Sequence, residues 1–189
     1  MKHLLNILMT MSFAFAIFSC SEDSVAPKTG PGEEELITTV TLTLTPTSGT
    51  VVTASWRDLD GDGGNDPVID TLRLAPNTTY SGSIALLNEQ EDPAEDITEE
   101  INEEADNHQL FYSPGGGIAA SVVVTVTDTD SRNLPVGLTY SVAVDAGAAG
   151  QSGDLRVTLY HYDDSADKDG TSPSTETDVQ IDIPVVIVN

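Results

Sequence analysis

The chain has 189 residues, with 31 aspartates and glutamates against seven lysines and arginines, and a formal net charge of −24 at pH 7. So negative a surface repels phosphate and excludes nucleic acid as a partner, while favouring cations, basic partners and solubility. A single cysteine excludes an internal disulfide, so a hydrophobic core must hold the fold unaided, and the length suits one domain.

Lys2 and His3 precede a largely apolar run over residues 4–18. At about fifteen residues the run is too short for a membrane-spanning helix, which needs ~20. A charged start, a short apolar stretch and a small residue before a cut describe a secretory signal over residues 1–19. Ile17-Phe18-Ser19-Cys20 resembles the lipobox of bacterial lipoproteins, in which an aliphatic and a small residue precede a cysteine that becomes the lipidated N-terminus. That resemblance implies lipidation at Cys20 and membrane attachment through its acyl chains, where two lipid signals already suffice. The plainer alternative is a stray thiol. Ser21-Glu22-Asp23 is similar to the acidic tract that follows the cysteine in surface-exposed lipoproteins of Bacteroidota-type bacteria. The implied location is the outer membrane, facing the periplasm or the cell exterior. Residues 20–32 hold two prolines, two glycines and little apolar content; they read as a flexible tether, leaving residues 33–189 as the folded domain.

From Leu36 the pattern turns to period two, with Val40, Leu42 and Leu44 alternating with threonines. That is a half-buried strand with a threonine-rich outer face. Val52, Ala54 and Trp56 repeat the pattern. Next comes DLDGDGGND at residues 58–66, with four carboxylates and three glycines in nine positions. Calcium takes six to eight oxygens, and carboxylates at alternating positions can wrap it where glycine permits the turn. Asp58, Asp60, Asp62, Gly64 and Asp66 are the candidate ligands. The start resembles the EF-hand pattern D-x-D-x-D-G. Ile69 stands where the closing glutamate belongs, however, so the segment is closer to the looser DxDxDG loops of extracellular β-proteins. A weak calcium site, with a dissociation constant on the order of 10⁻⁴–10⁻³ M, and a solvated turn both remain open.

Leu74-Ala75-Pro76-Asn77-Thr78-Thr79-Tyr80 resembles the tyrosine corner of fibronectin type III domains, and Ser55-Trp56 resembles their core tryptophan strand. The resemblance implies that Tyr80 hydrogen-bonds back across a corner and that Trp56 fills the core of an immunoglobulin-like sandwich. The interval from Trp56 to Tyr80 is much shorter than in that family, so strands would be missing. Tyr80, Ile84 and Leu86 continue the alternation.

Residues 88–109 break it, with ten acidic residues and no lysine or arginine. Asp92-Pro93 with Glu95 reads as a helix start, and Ala94, Ile97, Ile101, Ala105 and His108 form one helical stripe. A helix over residues 93–107 is expected, inserted on the sandwich. Alternation resumes at Val122, Val124 and Val126, at Leu138 to Val144, at Leu155, Val157 and Leu159, and from Val179 to Ile187. The expected fold is therefore mainly β, an immunoglobulin-like antiparallel sandwich of seven to nine strands with one acidic helix. A second acidic loop, residues 163–170, has irregular spacing and an intruding Lys168, which favours a solvated hairpin over a metal site. His108 and His161 would form a transition-metal site if they met; otherwise one ends a helix and the other ends a strand or sits satisfied in the core.

No Ser-His-Asp order, phosphate loop or CxxC is present, and the helix acids crowd one segment rather than flanking a cleft as glycoside hydrolysis requires. The whole chain resembles a group of short acidic Bacteroidota-type lipoproteins, some labelled as a type 1 periplasmic binding fold superfamily. The two α/β lobes in that label need alternating strands and helices, which this sequence lacks. The resemblance and the motifs together imply a lipid-anchored binding or structural module of the cell envelope, without catalysis, stabilised by calcium and fitted to a basic protein or a glycan. The alternative is a carrier of a small ligand or metal.

Overall fold

The computed structural model describes residues 35–61 and 63–189. The expected signal, Cys20, the tether and Asp62 lie outside the described residues. Eleven strands and one α-helix follow in the order β1 (Thr39–Pro46), β2 (Val52–Arg57), β3 (Val68–Ile69), β4 (Leu72–Leu74), β5 (Thr78–Asn88), β6 (Glu95–Asp96), α1 (Ile97–Glu103), β7 (His108–Pro114), β8 (Val122–Val126), β9 (Thr139–Val144), β10 (Ser152–His161) and β11 (Glu176–Ile187). One sheet runs β3-β2-β1-β5-β9-β8, with β6 added to β5; the other runs β4-β11-β10-β7. The protein is a mainly β sandwich.

Each long strand buries the residues that its alternation marks. Val40, Leu42 and Leu44 of β1 are fully buried, and Leu155, Val157, Leu159, Ile183 and Val185 meet them from the other sheet in one core. Burial of each such side chain contributes about 1.5–3 kcal/mol, which stands in for the absent disulfide. β1 sits centrally, antiparallel to β2 and to β5. Gly82 of β5 lies opposite Tyr140 of β9; a Cβ there would stand 2.3 Å from the Tyr140 ring, so only glycine leaves room for the aromatic.

Four expectations need correction. Eleven strands stand against the expected seven to nine, because three of them, β3, β4 and β6, are two- or three-residue pieces added to longer strands. The second sheet is mixed, because β4 runs parallel to β11. The expected helix over residues 93–107 shrinks to Ile97–Glu103. Glu95 and Asp96 pair instead with Asn88 and Leu87 of β5, Asp96 caps the helix by accepting from the Thr98 amide, and only Ile97 and Ile101 reach the core. Lastly, His108 does not end a helix: it opens β7, whose register partner is β10.

At the corner, the Tyr80 hydroxyl accepts from the Ala75 amide at 2.8 Å. Trp56 is only half-buried, at the rim of the core, beside the edge strand β3 that it pairs through Ile69.

Candidate metal centre

Three neighbouring strands of the second sheet bring titratable side chains to one point. His108 opens β7 and His161 ends β10, directly opposite each other in the ladder. Both continue the inward phase of their strands, so both rings point into the sandwich. Their centroids are 4.5 Å apart with planes at 81°. Beyond them the strand ends are tied together, since the Asn107 side chain donates to Tyr162 O at 2.6 Å and the Tyr162 amide donates to Asn107 O.

Asp178 arrives by a different device. Val179 opposes Leu159 and Thr177 opposes Tyr160, leaving Asp178 as the extra residue of a β-bulge in β11. A bulge re-aims a side chain that regular pairing would turn outward, and the Asp178 carboxylate is fully buried. The fourth member, Glu35, comes from outside the sheet, on the segment that enters β1, and its side chain is 6% exposed.

The ligand atoms of Glu35, His108, His161 and Asp178 all lie within 4.8 Å of one another. Glu35 Oε1 is 2.9 Å from His108 Nε2 and 3.8 Å from His161 Nδ1, and Asp178 Oδ2 is 4.0 Å from His108 Nε2. A tetrahedral ion with bonds of about 2.1 Å spaces its ligand atoms ~3.4 Å apart, within the observed range. His108 Nδ1 faces Glu104 O at 3.2 Å, the backbone partner that commonly orients a metal-ligating imidazole. Neither ring nitrogen of buried His161 has a hydrogen-bond partner among the described residues. Burial opposes ionisation of Glu35, but hydrogen bonding and charge from His108, together with a hydrogen bond to Asp178, hold its carboxyl below the usual range. On the helix, partial burial and the charge of Glu35 raise the Glu100 carboxyl, so α1 faces the same negative centre. These four residues could hold a metal ion.

The loop marked by DLDGDGGND is built otherwise. Asp58 accepts from the Gly61 amide at 2.9 Å, and Asp60 accepts from the amide and the side chain of Asn65. Asp66 is exposed and Asp62 lies outside the described residues. Among the described residues the loop's carboxylates do not converge as the buried four do. The second acidic loop is also occupied with itself: the Asp169 carboxylate accepts from Thr171 and Ser172. Lys168 turns fully inward, donating to Asp130 at 3.0 Å and to Ala105 O at 2.7 Å.

Two clefts flank the centre. One of about 310 Å³ is lined by Ile37, Trp56, Asp58 and Asp178 among others. The other, about 520 Å³, opens beside the end of α1. Three of its acids are already engaged, Asp106 by Ser131, Asp128 by the amides of residues 137–139, and Asp130 by Lys168. Among the described residues no helix is long and apolar enough to cross a membrane.

Two of the four residues are legible in the sequence as a histidine pair that forms a metal site only if the two meet. Glu35 and Asp178 carried no motif. The one signal for Asp178 was the break in inward phase before Val179. Compared with protein-family models, curated proteins and solved structures, the chain gives no match.

Proposed function

We propose that the protein is a lipid-anchored, non-catalytic module of the cell envelope that holds one first-row divalent transition metal, zinc foremost, through Glu35, His108, His161 and Asp178. The observation that carries this reading is His161, a buried imidazole aimed among three other ligand groups with both nitrogens lacking a hydrogen-bond partner among the described residues. Imidazole suits zinc, copper, iron and nickel, whereas calcium takes oxygen ligands. Four protein ligands would close a tetrahedral shell, as structural zinc sites do, and leave no position for a substrate. Cys20 supplies the membrane attachment. A basic protein or a glycan fits the acidic surface.

The narrower cleft, which reaches Asp178, favours a second reading, a metal carrier that exchanges its ion with the surroundings. The two differ in dissociation rate, slow for a structural ion and fast for a cargo.

The test is titration of the full chain in detergent with zinc, calcium and magnesium at equal ionic strength. One zinc per chain is expected, with binding abolished by the double variant His108→Ala/His161→Ala. Zinc binding no tighter than magnesium would overturn the reading. Calcium on Asp58, Asp60, Asp62, Gly64 and Asp66 would be a separate event at a separate loop. A calcium-specific thermal shift that survives the histidine double variant would assign it to that loop.

A further inference from the structure

We propose that the metal acts as a clasp on the strap formed by residues 35–38, with Glu35 as the ligand that can leave, so that occupancy of the centre decides whether the chain entering β1 stays docked against the second sheet. The proposal rests on the metal reading above and adds what the ion controls.

The centre is built in two unequal halves. His108 and His161 sit opposite each other in a hydrogen-bonded ladder, and Asp178 lies within β11, which pairs with β10 on both sides of the bulge. Those three groups belong to one sheet and move together. Glu35 belongs to the other side of the molecule. It precedes β1, has no strand partner, and is followed by Leu36, which is 53% exposed. The strap's polar fastening begins only at Thr38, whose amide and hydroxyl both donate to Leu87 O and whose Oγ1 accepts from the Glu89 amide. Upstream of that point the strap is held by buried Ile37 and by the Glu35 carboxylate, which contacts the two imidazoles and hydrogen-bonds with Asp178.

Ligation therefore couples two events. An ion that takes Glu35 as a ligand binds the docked strap more tightly than the released one, and by the same differential it shifts the strap toward docking. With Glu35 gone, His108, His161 and Asp178 remain as a three-ligand face that binds more weakly. Cys20 lies upstream on the same chain, so the clasp closes on the stretch that leads toward the expected anchor. Metal supply would then set whether residues 35–38 stay docked.

The test is hydrogen–deuterium exchange of the full chain in detergent, with zinc and with chelator, run beside zinc titrations on the wild type and on Glu35→Gln. Amides of residues 36–38 should exchange at least tenfold more slowly with zinc in the wild type, with the amides of β10 and β11 as the internal reference for intact folding. Glu35→Gln should still bind zinc, but more weakly than the wild type, and should show no zinc-dependent protection of the strap. If zinc binds the wild type but leaves strap exchange unchanged, the clasp is wrong and the metal reading stands. If Glu35→Gln abolishes binding, or keeps full strap protection, Glu35 is not the removable ligand and the proposal fails. If zinc does not bind the wild type, both readings fall.

Discussion

A buried polar atom without a partner costs about 1–3 kcal/mol, whereas an apolar group of the same shape in its place is nearly neutral or stabilising. His161 therefore allows a test whose sign depends on the metal. Its side chain is 2% exposed and it ends a strand whose other inward residues are Leu155, Val157 and Leu159. His161→Phe should leave the melting temperature in chelator unchanged or raise it, consistent with up to about 1 kcal/mol of stabilisation. The same variant should lose the zinc-dependent rise, worth about 2.7 kcal/mol in the wild type at a hundredfold excess over the dissociation constant. Thermal unfolding in both conditions checks it. A large loss of stability in chelator would mean that the imidazole is already satisfied, and the argument for an ion would lose its main support.

At the scale of elements, what could be read in advance was alternation, and what could not was pairing. Val40, Leu42 and Leu44 reveal β1 because one face of the strand is buried and the other carries threonine. β7 was hidden by its own neighbours: His108, Leu110 and Tyr112 do alternate, but the acidic run before them matched a helix continuing to residue 107. Tertiary pairing overrode that local preference by drawing Glu95 and Asp96 onto β5. The centre was half legible for the same reason. Both histidines lie in phase with inward apolar residues, but only the β7–β10 register puts them opposite each other. Asp178 depends on a bulge and Glu35 on a segment outside the sheets, features that periodicity does not encode. A residue with a purely architectural role also belongs at this scale. Gly82→Ala would push a Cβ into the Tyr140 ring, across the central β5–β9 pair. Overpacking of this kind costs about 1–3 kcal/mol, so the urea midpoint should fall with the m-value unchanged. An unaltered midpoint would mean that the ring moves aside freely.

The whole molecule is a sandwich with a very acidic surface and no disulfide, and its two sheets are joined by aromatic as well as aliphatic contact. Tyr112 of β7 and Tyr140 of β9 meet across the core with ring centroids 4.4 Å apart. Their hydroxyls donate to Gly137 O and to Ser83 O. Burial pushes both phenols well up from their ordinary value. Tyr162 is pushed up to about 12, first by burial and then by the charge of Asp169, and it donates to Ser172 O. All three folded-state values are raised, so the native state favours the neutral phenol. The stability this represents is fully present below the unfolded value of 10 and is lost as pH rises from there, through about 12 for Tyr162, with the other two raised as well. Each phenol that ionises only on unfolding lowers stability by about 1.4 kcal/mol per pH unit above 10. Already strained by a net charge of −24, the fold should open before these phenols ionise in place. Phenolate absorbance and tryptophan fluorescence followed together through an alkaline titration would check this. Three of the five tyrosines should ionise in one steep step that coincides with the fluorescence change, above the pH at which a free phenol titrates. Smooth ionisation of all five near pH 10, with Trp56 fluorescence unchanged, would mean that water reaches the space between the sheets and that the aromatic contact does not seal them.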